Sequence, residues 1–150
     1  MDKLTISEEK IDSSEAELLI AELSTELRNI TGNSGQGSFE NSDMDNPRSV
    51  FVIARENEAA VGCGAFRELS SDTAEIKRMY ARKKSSGIGI RILAYLEERA
   101  KEFGYKKVVL ETRRCNTKAV NFYLNNGYNV ISNYGRYENV PEAICFEKEL

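Results

Sequence analysis

The spacing of apolar residues divides the chain into segments of two kinds. Ala16, Leu19, Ile20, Leu23 and Leu27 recur every three or four residues, the stripe of an amphipathic helix. Asp12, followed three residues later by Glu15, offers that helix a capping-box start. A second helical stripe runs through Leu93, Leu96, Ala100 and Phe103 and stops at Gly104, and a shorter helix in "NTKAVNFYLNNGY" is opened by Asn116 and closed by Gly127. Runs of β-branched, small or alternating residues predict strands in "KLTISEE", "SVFVIARE", "VGCGAFREL", "TAEIKRMYA", "KKVVLET", "NVISNY" and "EAICFEKEL". Of these, "KKVVLET" has the nearly continuous apolar run of a strand covered on both faces.

The order is therefore strand, helix, three strands, helix, strand, helix, two strands. Short turns at "NEAA" and "SSD" make the three central strands an antiparallel meander, and the strand–helix–strand step after it requires a parallel pair. An α/β (α+β) fold is expected, with a mixed, mostly antiparallel sheet flanked by helices, in a single domain over residues 1–150. The segment "GNSGQGSFENSDMDNPR", residues 32–48, is rich in glycine, serine and asparagine. It reads as a mobile loop unable to supply a core.

Composition narrows the chemistry. With 41% hydrophobic and 30% charged residues the chain is that of a folded soluble protein, and its formal charge of −3 disfavours a general nucleic-acid binder. No apolar window is long enough to span a membrane and "MDKLTISEEK" lacks an export pattern, so a cytoplasmic protein is expected. There is no histidine, which excludes histidine-based triads and histidine-ligated zinc, and no metal is expected. Cys63, Cys115 and Cys145 form no CxxC pair and read as reduced thiols in apolar or strand-like settings.

"RKKSSGIGIRILAYLEERAKEFGY" holds a glycine pair between a basic, hydroxyl-rich run and a helix. Such a turn leaves several N–H groups converging where the helix dipole is positive, a natural place for phosphate. Gly87 and Gly89 let the main chain approach an anion, while Lys83, Lys84, Ser85 and Ser86 add charge and donors. A P-loop would need Lys then Ser or Thr after Gly89, where Ile90 and Arg91 stand. A dinucleotide fingerprint would need glycine at position 92, where Ile92 stands, although Glu111 after the next strand imitates its ribose-binding acid.

From about Val50 to Leu150 the chain resembles the GNAT superfamily of acyl-CoA-dependent N-acetyltransferases. The family signature, Arg/Gln-x-x-Gly-x-Gly/Ala, here reads Lys84-Ser85-Ser86-Gly87-Ile88-Gly89, with Lys84 departing from the first position and Ser85 standing where many members have a further glycine. "AEIKRMYA" precedes it, and Asn116, Ala119, Tyr123, Gly127 and Tyr128, then "NYGRY" and "CFEKEL", follow in order. The resemblance implies a splayed parallel strand pair admitting the pantetheine arm of acetyl-CoA, the co-substrate. Main-chain groups at Met79, Tyr80 and Ala81 would meet its amides, Lys84, Ser85, Ser86, Gly87, Ile88 and Gly89 its pyrophosphate, and Asn116 and Tyr123 its arm and sulfur.

An amine must lose a proton as it attacks a thioester. Glu75 is the candidate base, with a water chain as its rival and an exposed, ion-paired strand carboxylate as the ordinary alternative. Tyr123 matches the family's proton donor to the leaving thiolate; the ordinary alternative is a core tyrosine. Cys115 lacks a histidine to activate it and is not expected to act as a nucleophile. Lys77, Arg78 and Arg82 read either as a basic patch toward the cofactor's 3′-phosphate or as a solvated strand face.

The acceptor points two ways: Glu40, Asp43 and Asp45 would attract a cation, whereas Tyr134, Arg136 and Tyr137 would hold a carboxylate or an aromatic group. A small-molecule primary amine is expected, with no nucleic acid or membrane partner and a homodimer left open. A non-catalytic acyl-CoA sensor and a nucleotide-binding oxidoreductase are the competing functions.

Overall fold

A computed structural model describes residues 3–82 and 87–150. In chain order it contains β1 (Leu4–Glu8), α1 (Ser14–Thr31), β2 (Val50–Glu56), β3 (Ala59–Ser70), β4 (Thr73–Ala81), α2 (Ile88–Glu102), β5 (Lys107–Arg113), α3 (Thr117–Asn125), β6 (Asn129–Ile131) and β7 (Ala143–Glu149). These form one sheet of order β1-β2-β3-β4-β5-β7-β6, antiparallel except for the β4–β5 pair. The last two strands pair with each other as expected, but β7 lies between β5 and β6. Its inward run Ala143–Phe146 is wholly buried, whereas β6 supplies only three residues, suited to an edge.

The sheet has a core on each face. On one, Ile88, Ile92, Leu96 and Ala100 of α2 pack with Val52, Phe66, Ile76, Val108, Leu110 and Phe146, and Tyr123 of α3 joins them. On the other, Ala16 and Leu19 of α1 meet Phe51, Ile53, Cys63 and Ala65. Val108, Val109 and Leu110 are all buried, as a strand covered on both faces requires. The α1 cap is Ser13, whose hydroxyl accepts from Ala16 N, one residue beyond the expected Asp12.

The loop over residues 32–48 does supply core, against expectation. It is folded into two short 3₁₀ turns, Gln36–Ser38 and Asn41–Asp45, and its Phe39 and Met44 complete the α1-face cluster. Two apolar residues among many polar ones carry no periodicity, so the sequence pattern hides them.

Close approach of α2 to the sheet depends on "VGCGAF" in β3. A methyl group on Gly62 would lie 2.7 Å from the carbonyl oxygen of Tyr80, which is backbone and cannot rotate away. Gly62→Ala is therefore expected to lose about 1–3 kcal/mol of stability, read as a lower urea midpoint at unchanged slope. An unchanged midpoint would show that the sheet yields there.

Candidate active site

The parallel pairing of β4 with β5 is confined to Thr73–Lys107, Ala74–Val108 and Glu75–Val109. β4 runs on to Ala81 and β5 to Arg113, so the strands diverge beyond Glu75 and the β4 wall of the gap has main-chain groups without a ladder partner on β5. At the far side of that gap α2 begins. Gly87 holds φ +78°, a left-handed conformation that favours glycine, with open space where a side chain would be. A methyl on Gly89 would only touch the Phe122 ring at 3.4 Å, so protein packing does not demand a glycine there. Lys84, Ser85 and Ser86 lie outside the described residues.

α3 borders the gap from the α2 face. Asn116 caps it by accepting from Ala119 N at 3.3 Å, the capping role the sequence suggested. Tyr123 is buried, its ring edge-on to Phe122 and Tyr128. Burial holds its phenol above the ordinary tyrosine range, and among the described residues the hydroxyl makes no hydrogen bond.

Glu75 sits on the opposite, α1 face at the point where the strands part. It is 2% exposed, not the exposed strand carboxylate of the ordinary alternative. Arg67 Nε donates to its Oε1 at 2.9 Å, and the Tyr134 hydroxyl donates to Oε2. Burial, and next the adjacent Glu75 charge, push the Tyr134 phenol well above its ordinary range. Arg67 also reaches Asp43 at 2.5 Å, pinning the second 3₁₀ turn to β3.

A bulge in β4 shapes the rest of this face. Gly62 pairs with Ala81 and Cys63 with Tyr80, but Ala65 pairs with Lys77, so β4 carries an extra residue. Arg78 there has φ +56°, a conformation costly for a residue with a side chain and found where structure is over-determined. The bulge turns two successive cations toward α1 and its following loop. Lys77 Nζ donates to Ser38 Oγ at 3.0 Å and Tyr137 Oη at 3.1 Å, while Arg78 donates to Ser24 Oγ at 2.9 Å and the Ser34 carbonyl. Burial lowers the pKa of Arg78.

Lys77, Arg78 and Arg82 therefore do not form one basic patch. Arg82 turns instead to Glu22 at 2.8 Å. Met79 faces the α2 side against Gly64, and the Tyr80 hydroxyl donates to Glu22. Arg136 donates to the Gly37 carbonyl at 2.8 Å, and Tyr137 is buried beside Cys145. The predicted site residues thus divide by face: Tyr123, Asn116, Gly87, Ile88 and Gly89 gather around α2 and α3, Glu75, Tyr134, Arg136 and Tyr137 on the α1 side, and the gap lies between.

Two residues of this region are not placed in the acetyltransferase site by sequence, which singles out Glu111 only as the imitation of a ribose-binding acid. Glu111 and Arg113 follow Val109 at alternate positions of β5, so both share its face with Glu75. Glu111 Oε2 and Arg113 Nη1 are buried without a hydrogen-bond partner; the pair meets only through Arg113 Nε at 3.5 Å. Burial raises the Glu111 pKa, and Arg113 and Lys77 oppose the rise in part. The alternation of "VLETR" with the preceding valine could have flagged them. Cys115 is exposed, contrary to the apolar setting expected of it.

Two surface grooves are also present. A shallow groove of 740 Å³ runs between Glu8–Asp12 and the turn at Asn41–Asp45, away from the diverging strands. A second, of 570 Å³, lies between α1 and Tyr80, at the C-terminal end of β4.

Comparison with known proteins identifies the lineage. The profile of the acetyltransferase (GNAT) family matches residues 16–128. The chain belongs to the GNAT family. The protein is thus an acyltransferase, which displaces the oxidoreductase reading, and its sheet with one diverging parallel pair is the GNAT fold. It is 27% identical to an IAA acetyltransferase of Azospirillum brasilense over the full length of both chains. A Klebsiella pneumoniae structure, provisionally named an acyl-CoA N-acyltransferase, superposes with a TM-score of 0.84 at 26% identity, covering 98% of this chain and 97% of that one. The fold is shared with the PaiA N-acetyltransferase of Thermoplasma acidophilum, solved with coenzyme A, at a TM-score of 0.73 and 18% identity over 99% of each chain. Among the described residues of this GNAT chain, no helix is long and apolar enough to cross a membrane.

Proposed function

We propose that this GNAT protein transfers the acetyl group of acetyl-CoA to the primary amine of a small molecule, by direct attack in a ternary complex in the cytoplasm. The observation that carries the reading is the three-residue β4–β5 ladder, which leaves a gap walled by unpaired main-chain groups and closed by the start of α2. Glycines at 87 and 89 that packing does not demand fit a backbone cradle kept clear for an anion.

Main-chain groups at Met79, Tyr80 and Ala81 would hold the amides of the pantetheine arm, and Gly87, Ile88 and Gly89, with Lys84, Ser85 and Ser86 before them, the pyrophosphate. When bound, acetyl-CoA supplies an activated acyl carbon whose C–S bond breaks as the C–N bond forms. Tyr123 donates a proton to the leaving sulfur; its neutral phenol, favoured by burial, is the form that can. Asn116 orients α3 beside the arm. On the other face the Tyr134 hydroxyl takes a proton from the amine as its own passes to Glu75, which it already faces.

Saturating acetyl-CoA is expected to raise the melting temperature, because a ligand held only by the native state stabilises it by about 2.7 kcal/mol at one hundred times its Kd. For a chain of this size that is roughly 5–10 °C. A panel of amines assayed by free-thiol release then tests transfer itself. No shift with acetyl-CoA, or a shift with no thiol release on any amine, would defeat the proposal.

A further inference from the structure

The two opposed indications about the acceptor are separated by which charges on the α1 face have counter-charges. Asp43 is paired with Arg67 and caps its own turn by accepting from Glu40 N. Glu75 is paired with the same arginine. The cations are treated differently. Among the described residues Lys77 donates hydrogen bonds only to the hydroxyls of Ser38 and Tyr137, Arg136 only to the Gly37 carbonyl, and Arg78 only to the Ser24 hydroxyl and Ser34 carbonyl. Around the gap, Arg67, Lys77, Arg78, Arg113 and Arg136 outnumber Asp43, Glu75 and Glu111, although the whole chain carries a net charge of −3.

Lys77 is half-buried, Arg78 buried and Arg136 exposed, and Lys77, Arg113 and Arg136 share the charge of one carboxylate, Glu111; three cations to one anion leave that face short of negative charge. The bulge at Arg78, held at positive φ, is the device that places two cations side by side. Among the described residues Arg113 Nη1, like Glu111 Oε2 beside it, is buried without a hydrogen-bond partner, and native structures rarely leave such groups unsatisfied without a ligand or water.

Resting on the acetyltransferase reading above, we propose that the acceptor is an amine that also carries a carboxylate, of the amino-acid class, and that Lys77 and Arg136, with Arg113 beneath, receive that carboxylate. The carboxylate gives Lys77, Arg113 and Arg136 a second counter-charge beside Glu111 and offers Arg113 Nη1 an acceptor. The amine then points to Tyr134 and Glu75 at the mouth of the gap. An acceptor of net positive charge, such as a polyamine, would meet uncompensated cations of its own sign, a repulsive element against it.

The test compares amino acids with their carboxamides, which keep the amine and lose the negative charge, in the free-thiol assay on the full chain. The expected result is a kcat/KM at least 10-fold higher for the acids, carried mainly by KM. Lys77→Gln and Arg136→Gln, which keep hydrogen-bonding capacity and remove charge, should drive that ratio towards one, and Arg136→Lys should restore part of it. Far-UV circular dichroism and the acetyl-CoA melting shift, measured on each variant, separate lost folding or lost cofactor binding from lost acceptor recognition. Carboxamides or polyamines acetylated as well as amino acids, or a preference for acids that survives both glutamine variants, would overturn the proposal while leaving the acetyltransferase reading intact. Absence of any acetyl-CoA shift in the unmodified protein would instead defeat that parent reading.

Discussion

Tyr123→Phe is expected to lower kcat for acetyl transfer by about 10²-fold or more, with the melting temperature and the acetyl-CoA shift nearly unchanged. The ring does the packing: it stands edge-on to Phe122 and Tyr128 in the core between α3 and the sheet, and phenylalanine preserves those contacts. The hydroxyl makes no hydrogen bond among the described residues, so its removal leaves no buried partner stranded, the usual source of a large stability loss. What disappears is the proposed donor to the leaving sulfur, whose negative charge is then left without a proton or hydrogen bond in a buried site. Because burial holds the phenol above its ordinary range, titration of Tyr123 should not depress the unmodified enzyme's rate until pH passes about 10. A Tyr123→Phe protein that turns over at the unmodified rate would reduce the residue to core packing and move the donor elsewhere, to water or another group.

The architecture was legible because its signals are periodic. Helical stripes and alternating runs located all three helices and all seven strands, and the meander followed by one crossover fixed which pair must be parallel. The turns bordering the gap were legible for a related reason: Gly87 and Gly127 hold positive φ and Asn116 caps α3, and glycine and a capping asparagine announce that in sequence.

The arrangement on the α1 face was not legible, since it depends on contacts between distant segments. Nothing in "EIKRMY" reveals that one extra residue in β4 turns Lys77 and Arg78 to the same face. Simple alternation would have sent them to opposite sides. Nor does the acidic 40–45 segment reveal that Asp43 is consumed by Arg67, while Lys77, Arg78 and Arg136 donate hydrogen bonds only to neutral oxygens. Phe39 and Met44 were lost in a polar loop for the same reason: their partners lie on β2, β3 and α1, beyond the reach of any local pattern.

Arg67→Met should produce the largest loss of stability, about 3–5 kcal/mol at neutral pH, or roughly 6–20 °C in melting temperature. Arg67 carries two carboxylates: Glu75, almost wholly buried, at 2.9 Å, and Asp43 at 2.5 Å. Removing a surface partner costs little, so Asp43 contributes the smaller share. Glu75 dominates, because a carboxylate left in the interior without its guanidinium keeps the cost of dehydration and loses the compensating attraction. Arg67→Lys should recover only part, since one ammonium cannot reproduce a planar group that reaches Glu75 through both Nε and Nη2 and Asp43 through Nη1. Adding Glu75→Gln to Arg67→Met should restore a substantial part of the loss by removing the stranded charge, giving a coupling energy in a double-mutant cycle. Activity should not return with it, because a neutral amide in place of Glu75 cannot take the proton relayed through Tyr134. Recovery of stability and turnover together would assign Glu75 to the fold alone; an Arg67→Met protein as stable as the unmodified one would show that Tyr134 suffices to hold the buried carboxylate.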